Sequence, residues 1–151
     1  MSPLTDFHSD CHAAAGRIAP HIRHTPVERS HVLSEASGAN VHLKLENLQA
    51  TGSFKLRGAT NAVMSLGDEA TGVVAASSGN HGMAVAHAAR IAGLDALIFV
   101  PEAASSSKVG AIEALGAKIR RVNGDPVLAE AAARQHAEEA GLPYLSPYND
   151  P

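Results

Sequence analysis

Short apolar runs alternate with stretches of helical periodicity through the second half of the chain. Three runs, at 72–76, 95–100 and 117–122, have the length and composition of buried strands. Near-continuous apolar strands are expected in a sheet that is covered on both faces. The order strand, helix, strand, helix therefore predicts an α/β fold with a parallel sheet and right-handed crossovers.

Helix caps and one more apolar segment complete this pattern. Ser105 to Ser107 can cap one helix, and Asp125 followed by Pro126 is typical of the start of another. The segment 143–145 can begin a fourth strand. We therefore predict a parallel sheet of about four strands with helices on both faces. The three helices are predicted to end at Gly93, Gly116 and Gly141.

The first 50 residues show a different pattern, with one stretch of alternating polarity and two of helical character. Alternation of apolar and polar residues is typical of a strand with one exposed face. In chain order we predict a helix at 4–18 capped by Thr5, a loop at 19–27, a helix at 30–37 ended by Gly38, and a strand at 40–46.

Composition and charge exclude several classes of function. The chain has 151 residues, 45% of them hydrophobic, and a formal net charge of −3 without a basic stripe, which argues against a nucleic-acid role. No apolar run approaches membrane-spanning length, and the N-terminus lacks the apolar core of a signal peptide. Cys11 is the only cysteine, so no intrachain disulfide can form. These features favour a cytoplasmic protein.

A lysine opens one of the predicted helices. In Thr51-Gly-Ser-Phe-Lys-Leu-Arg-Gly-Ala59, Gly52 permits an unusual backbone angle and Ser53 is a natural N-cap. Lys55 is either a side chain whose stem packs while its amine reaches water, or a reactive amine whose neutral form partial burial and the helix dipole favour. The residues alone leave both interpretations open. The helix face that carries Lys55 is otherwise small and apolar, with Gly58, Ala59, Ala62 and Leu66.

A turn rich in glycine and serine follows the first apolar run. It reads Ala75-Ala-Ser-Ser-Gly-Asn-His-Gly82 and opens a helix, where free backbone N–H groups bind carboxylates or phosphates. Ser77 and Ser78 add hydroxyl groups, Asn80 an amide and His81 a titratable ring. The segment has neither the dinucleotide fingerprint nor the P-loop lysine. Because segments rich in Gly, Ser and Asn are usually only turns, the residues alone leave open whether this one binds an anion.

Three motifs taken together resemble one enzyme family. Lys44-Leu-Glu-Asn-Leu-Gln49, the lysine segment 51–59 and Ser77-Ser-Gly-Asn-His-Gly82 resemble the threonine/serine dehydratase and serine racemase branch of pyridoxal-phosphate (PLP) enzymes, which are similar to the tryptophan synthase β subunit. The loop His24-Thr-Pro26 and the stretch Val100-Pro-Glu102 also match. The resemblance covers the chain from about residue 20 to its end. It implies a lyase of amino acid metabolism that converts a small hydroxy amino acid into a 2-oxo acid and ammonia.

The resemblance implies a role for each residue of the two central motifs. Lys55 would carry PLP as a Schiff base, Phe54 would pack near its pyridine ring, and Asn80 would hydrogen-bond its 3-oxygen. Ser78 would be a second catalytic residue, since racemases keep a serine on the ring face opposite the lysine. The freed Lys55 amine would remove the substrate's α-proton. The substrate carboxylate would be held by Ser77, Ser78, Gly79, Asn80 and His81.

Two motifs differ from those of cysteine synthase relatives and indicate which branch of the wider family the chain resembles. Cysteine synthase relatives carry Lys-Asp-Arg and Gly-Asn-Thr-Gly where this chain has Lys55-Leu-Arg57 and Gly79-Asn-His-Gly82. The resemblance therefore favours elimination or racemisation over thiol replacement. Many plain dehydratases carry alanine at the position of Ser78, which keeps racemisation open. Tyr148 weakens the racemase alternative, since racemases tend to carry asparagine at a similar place.

The resemblance also implies a division into domains. Residues 1–50 would belong to a larger, mostly absent domain, 51–147 would form the small α/β domain with the PLP lysine, and 148–151 would begin the connection to the missing half. The family's phosphate loop and pyridine-nitrogen partner would lie beyond Pro151, and the chain has no Gly-Gly-Gly run. We therefore expect a fragment that binds PLP poorly and catalyses little by itself. The full-length protein would be a homodimer or a homotetramer.

Two other classes of function remain as alternatives. A non-catalytic α/β binding module could share this layout, and it would have no use for a reactive lysine. A metal site could use His8, Cys11 and His12, which lie at helical spacing, or His21 and His24, but these lack the paired spacing of a structural zinc site, so no metal is expected. Hydrolysis by a Ser/His/Asp triad lacks the Gly-x-Ser-x-Gly elbow.

Overall fold

The computed structural model describes residues 4–148, and it describes side chains from residue 7 onward. Six helices and five strands lie in this part of the chain. In chain order they are α1 (Leu4–Ile18), β1 (Val27–Arg29), α2 (His31–Ser37), β2 (His42–Lys44), α3 (Lys55–Met64), β3 (Gly72–Ala76), α4 (Asn80–Ala92), β4 (Asp95–Pro101), α5 (Ser106–Glu113), β5 (Lys118–Val122) and α6 (Pro126–Ala140). Single 3-10 turns lie at Ala19–His21 and Glu46–Leu48.

The central sheet has three parallel strands in the order β3-β4-β5. Val74 lies opposite Leu97, and Ile98 lies opposite Ile119. Helices α4 and α5 connect successive strands, as the alternation of apolar runs and helical stretches predicts. The α/β class with a parallel sheet is therefore confirmed.

The predicted fourth strand is reduced to a single parallel bridge between Tyr144 and Val74. The Val74 N–H donates to the Pro143 carbonyl at 2.9 Å, and the Leu145 N–H donates to the Val74 carbonyl at 2.8 Å. Proline has no N–H to donate, and Pro143 and Pro147 flank this segment. Because so few residues between them can pair, the segment extends the sheet without forming a full strand.

Helices cover both faces of the sheet, as predicted. Val73 and Val74 are both buried but point to opposite faces, as successive strand residues do. On one face α3, α4 and α5 pack through a cluster that includes Val63, Val85, Ala88, Ile98 and Ile112. On the other face Ala133 and Ala137 of α6 pack on Val74 and Phe99.

Most predicted helix ends are confirmed by the backbone geometry. Ser30 caps α2, since its Oγ accepts the Leu33 N–H at 3.3 Å, and α2 ends at the left-handed Gly38. Asp125 caps α6 through the Leu128 N–H at 2.9 Å. Helix α5 follows Ser105, but no described side chain caps it, because the Ser105 hydroxyl pairs with the Ser107 hydroxyl at 2.9 Å.

The first 50 residues differ in detail from the predictions. The strand expected at 40–46 is confined to β2, which pairs antiparallel with β1, so that Val27 is not part of a loop. Thr5 lies inside α1 instead of capping it, because the helix already begins at Leu4. Helix α1 packs on α3. Of the helices described between residues 4 and 148, none is both long and apolar enough to cross a membrane.

Candidate active site

Lys55 is the first residue of α3, at the end of a tight turn. Gly52 has a positive φ of 73°, a conformation that side chains with a Cβ rarely adopt, so the predicted unusual angle is confirmed. The predicted cap is wrong, since the buried Ser53 hydroxyl has no hydrogen-bond partner among the described atoms. Phe54, and not Ser53, occupies the cap position directly before Lys55.

The Lys55 amino group meets a segment that lies 92 residues away in the sequence. Nζ donates a hydrogen bond to the Pro147 carbonyl at 2.9 Å. It also lies 5.5 Å from the ring centre of Phe54 and 5.2 Å from that of Tyr148. Both rings are exposed, while Lys55 is only partly buried. The amine is therefore held in place and remains accessible.

An ion pair ties the lysine helix to the preceding segment. Arg57 donates from Nη2 to Glu46 Oε1 at 2.7 Å and from Nε to Oε2 at 2.9 Å. Thr25 Oγ1 donates to the same carboxylate at 2.6 Å. The Arg57 hydrogen bond is the main reason that the pKa of Glu46 is lowered to about 2, against the opposing effect of burial. The same bond raises the pKa of Arg57. Both residues lie in motifs that carry the family resemblance, but sequence reasoning did not pair them.

The glycine- and serine-rich turn follows β3 and leads into α4. The Ser77 hydroxyl accepts the Gly79 N–H at 3.1 Å, and the Gly79 carbonyl accepts the Met83 N–H at 3.1 Å. A Cβ on Gly82 would lie 2.3 Å from the Ser77 carbonyl oxygen. Only glycine therefore lets α4 approach the turn this closely. Within the described part of the chain, no side chain caps the N-terminus of α4, which begins directly after Gly79.

His81 is buried and connects this turn to the Pro147 segment. Its Nε2 lies 3.0 Å from the Leu145 carbonyl oxygen. Because a carbonyl can only accept, Nε2 carries the proton and donates it. The ring thus holds the turn against the strand-like residues that lead to Pro147. His81 was predicted to bind substrate, and this bond gives it a positioning contact as well.

A cleft of 340 Å³ brings the predicted residues together at the C-terminal edge of the sheet. This is the edge at which parallel α/β sheets bind ligands. Six of the seven predicted site residues line the cleft: Lys55, Ser77, Ser78, Gly79, Asn80 and His81. Phe54 does not. It lines an adjoining hollow of 180 Å³, which Lys55, His81 and Pro147 also line.

Sequence reasoning missed the remainder of the cleft. These residues come from the ends of β3 and β4, the start of α6 and the segment after the bridge. Their position after strands at one sheet edge was the available signal. The missed lining residues are Ala76, Phe99, Pro101, Pro126, Ala129, Glu130, Pro147 and Tyr148.

The donor set of the cleft suits an aldehyde cofactor that also carries polar ring substituents. Lys55 offers a primary amine, and the exposed Asn80 offers an amide on the same cleft. The residues present therefore fit PLP. Among residues whose side chains are described, no three His, Cys, Asp or Glu groups come together as a metal site. The His8 and His12 rings on α1 lie with their centres 4.5 Å apart and their planes tilted by 54°.

Comparisons with known proteins agree with this chemistry. The chain is 41% identical over 144 residues to the catabolic L-threonine dehydratase TdcB of Staphylococcus aureus strain N315. These residues are 93% of this chain and 42% of that protein. The chain is also 41% identical over 150 residues to the L-threo-3-hydroxyaspartate ammonia-lyase of Saccharomyces cerevisiae, covering 98% of the chain and 46% of that enzyme. The chain thus spans less than half the length of these relatives.

A solved structure and a family model match as well. The structure of maize serine racemase superposes with a TM-score of 0.85 at 37% identity, over 92% of this chain and 43% of that one. The model of the pyridoxal-phosphate dependent enzymes matches residues 18–151, which is most of the sequence. The chain therefore belongs to the family of pyridoxal-phosphate dependent enzymes.

Proposed function

We propose that this chain supplies the lysine-bearing part of a PLP-dependent ammonia-lyase that converts a β-hydroxy amino acid, such as threonine or serine, into a 2-oxo acid and ammonia. The observation that carries the proposal is the shared cleft of Lys55 and the turn Ser77–His81. A primary amine and an anion-binding turn are the two groups that an amino acid substrate requires there. The names of the similar enzymes support the same reaction class.

In this proposal the cofactor, when bound, supplies an electron sink that stabilises negative charge at the substrate α-carbon. Lys55 binds it covalently through its amino group. Asn80 donates a hydrogen bond to its ring oxygen, and Phe54 packs beside its ring. The exposed position of the Phe54 ring next to Lys55 leaves one side of it accessible for this contact.

The turn is proposed to bind the substrate carboxylate. Ser77 uses its oxygen to accept the Gly79 N–H, so its own hydroxyl hydrogen can donate to a ligand. Ser78 adds a second hydroxyl, and Gly79, Asn80 and His81 add the backbone at the positive start of α4. Carboxylates bind favourably at such helix starts.

Lys55 is proposed to move the proton at the α-carbon. The neutral Lys55 amine would take the α-proton of the substrate as a general base. The Pro147 carbonyl, which accepts a hydrogen bond from Nζ, stabilises the ammonium that results. The Lys55 ammonium would then give this proton to the β-hydroxyl, so that the bond from the β-carbon to oxygen breaks, water leaves and a double bond forms between the α- and β-carbons. One water molecule would hydrolyse the dehydrated amino acid, as its imine, to the 2-oxo acid and ammonia.

Racemisation is a second candidate, favoured by the position of Ser78. Its hydroxyl lines the same cleft as the Lys55 amine. A proton delivered by Ser78 to the face opposite Lys55 would return the amino acid with inverted configuration. Tyr148, which lies beside the Lys55 amine, stands at a similar place to the asparagine that racemases tend to carry, which weakens the racemase alternative. We therefore rank racemase activity second.

Replacement of Lys55 by alanine tests the central claim. In the full-length native protein, the substitution Lys55→Ala should abolish the formation of 2-oxo acid from threonine and serine. It should also abolish the absorbance of the covalent bond between lysine and cofactor. Lys118→Ala is the matched control, because Lys118 pairs with Asp95 on the exposed surface. A Lys55→Ala protein that formed 2-oxo acid at the parent rate would exclude the proposal. If Lys55→Ala bound threonine or serine as tightly as the parent protein, and the parent protein itself formed no 2-oxo acid, the binding-module alternative would be supported.

The domain division, the oligomeric state and the location in the cell are further proposals, based on the family resemblance and the composition. Residues 51–147 form the small domain, 1–50 belong to a larger one, and 148–151 begin the connection between the two. The native protein is a cytoplasmic homodimer or homotetramer. Its intact mass, compared with the 15.5 kDa of this chain, tests whether a second half exists.

A further inference from the structure

The turn between β3 and α4 borders a second hollow besides the cleft of Lys55. Ser78, Gly79 and Asn80 line both the cleft and this hollow, which has a volume of 380 Å³. We call it the α5 hollow, because α5 supplies much of its remaining lining: Met83, Ser107, Lys108 and Ala111. Among the described residues, no acid lines it, and Lys108 is its one charged residue.

Lys108 differs from the other lysines in having no partner within the described part of the chain. The sequence contains four lysines. Lys44 and Lys55 donate hydrogen bonds to backbone carbonyls, and Lys118 donates to a carboxylate. Lys108 is exposed, and it forms neither a hydrogen bond nor an ion pair with any described residue. Its charge is therefore free to act on a ligand.

The position of Lys108 does not favour its own helix. Lys108 is the third residue of α5, which begins at Ser106. Because the start of a helix carries a partial positive charge, a cation in its first turn is unfavourable. Within the described part of the chain, no side chain caps α5, so no acid there offsets the repulsion. Residues that break such a local rule are expected at functional sites.

We propose that Lys108 is a positioning residue whose charge attracts the substrate carboxylate to the turn from the side of the α5 hollow. The inference rests on the proposed function, which places that carboxylate on residues 77–81 and the substrate amino group at Lys55. Ser78, Gly79 and Asn80 offer N–H, hydroxyl and amide donors, none of which carries a full charge. An unpaired cation beside them adds a longer-range attraction for an anion, without touching the reacting atoms.

Two ligands that cannot lose water test this role without turnover. L-2-aminobutyrate and L-2-aminobutyramide share the amino group and the side chain, but only the first has a carboxylate. In calorimetry on the cofactor-loaded full-length protein, Lys108→Gln should weaken binding of the acid roughly threefold and leave binding of the amide unchanged. Lys108→Arg should bind the acid as the parent protein does. Lys118→Gln is the matched control, because the Lys118 charge is already paired with Asp95.

Salt and kinetics give two further readouts of the same variant. In about 1 M salt the effect of Lys108→Gln on acid binding should disappear, because exposed charges are screened within about 3 Å. In the formation of 2-oxo acid from threonine, Lys108→Gln should raise KM roughly threefold and leave kcat unchanged. A merely structural role at the start of α5 would instead weaken binding of the acid and the amide together.

The outcomes separate this inference from the proposed function. Unchanged binding of the acid by Lys108→Gln, or an equal loss for the acid and the amide, would overturn the role of Lys108. A loss confined to the acid, in a protein that forms no 2-oxo acid from any hydroxy amino acid, would support Lys108 and overturn the lyase. Formation of 2-oxo acid with a KM that Lys108→Gln does not alter would leave the lyase and overturn the inference. Binding of neither ligand by the parent protein would overturn both.

Discussion

Arg57 holds the Glu46 carboxylate with two parallel hydrogen bonds, at 2.7 and 2.9 Å, and thereby attaches the helix of Lys55 to the segment before it. Thr25 donates a third bond to Glu46, so residues from three parts of the chain meet at one carboxylate. Bidentate arginine–carboxylate pairs are geometrically specific. The position of Lys55 thus depends on an ion pair outside the cleft.

Glu46→Gln should destabilise the protein by about 1 kcal/mol at pH 7, a figure that allows for the partial exposure of Arg57. The folded pKa of about 2 lies below the ordinary 4.5, so the stabilisation is fully present above pH 4.5 and is lost as the pH falls towards 2. Urea unfolding at pH 7 and at pH 2.5 measures the difference. Glu113→Gln on the exposed part of α5 is the control. An equal loss at both pH values would contradict the ion-pair account.

Gly82→Ala should destabilise the protein by about 1–3 kcal/mol, because the new methyl group would lie 2.3 Å from the Ser77 carbonyl oxygen. The turn or α4 must move, which would also disturb the proposed carboxylate site. Gly110→Ala on α5 is the matched control, since a Cβ there meets open space and alanine favours a helix. Thermal unfolding of both variants measures the contrast. Equal stability of the two would mean that α4 tolerates displacement from the turn.

Thr60→Val should stabilise the protein by about 1 kcal/mol. Thr60 is fully buried on α3, and among the described atoms its hydroxyl has no hydrogen-bond partner. Valine keeps the shape of threonine and removes the cost of burying that hydroxyl. Thr60→Ser, which keeps the hydroxyl and loses the methyl group, should destabilise instead. Urea unfolding compares the variants, and a less stable valine variant would reveal a hydrogen bond to Thr60.

His81→Leu should loosen the segment that leads to Pro147. The variant removes the N–H that donates to the Leu145 carbonyl, at a cost of about 1–3 kcal/mol for the unpaired carbonyl. Hydrogen exchange at the Leu145 amide, which donates to Val74, should become faster. His87→Leu on the same helix is the control and should leave that amide protected. Unchanged exchange in His81→Leu would show that the bridge to Val74 holds the segment without the histidine.

Much of the fold could be predicted from the sequence, because strand composition and helix caps depend on local interactions. The strands at 72–76 and 95–101 follow from apolar runs that a doubly covered sheet buries. The strand at 118–122, which reads Lys-Ile-Arg-Arg-Val, differs from the expected buried strand, because it lies at the edge of the sheet and is largely exposed. Asp125 and Gly141 mark the two ends of α6 through interactions with neighbouring backbone. Such signals depend on residues within one helical turn, so they do not require knowledge of the remainder of the molecule.

Two local predictions failed for reasons that the pattern did not reveal. Ser53 is a residue type that often caps a helix, yet its side chain is buried and Phe54 occupies the cap position of α3. The segment 143–145 was predicted to begin a strand, but between Pro143 and Pro147 it forms a single bridge to Val74.

The candidate site divides in the same way. The sequence by itself determined that a lysine and a turn rich in glycine and serine lie at two helix starts, because such residues act on the backbone locally. Only the tertiary structure decided that Glu130 lines the same cleft as Lys55, 75 positions earlier in the chain. The carboxyl ends of parallel strands meet at one edge whatever their distance in sequence, so the neighbours found at that edge depend on how the sheet is assembled.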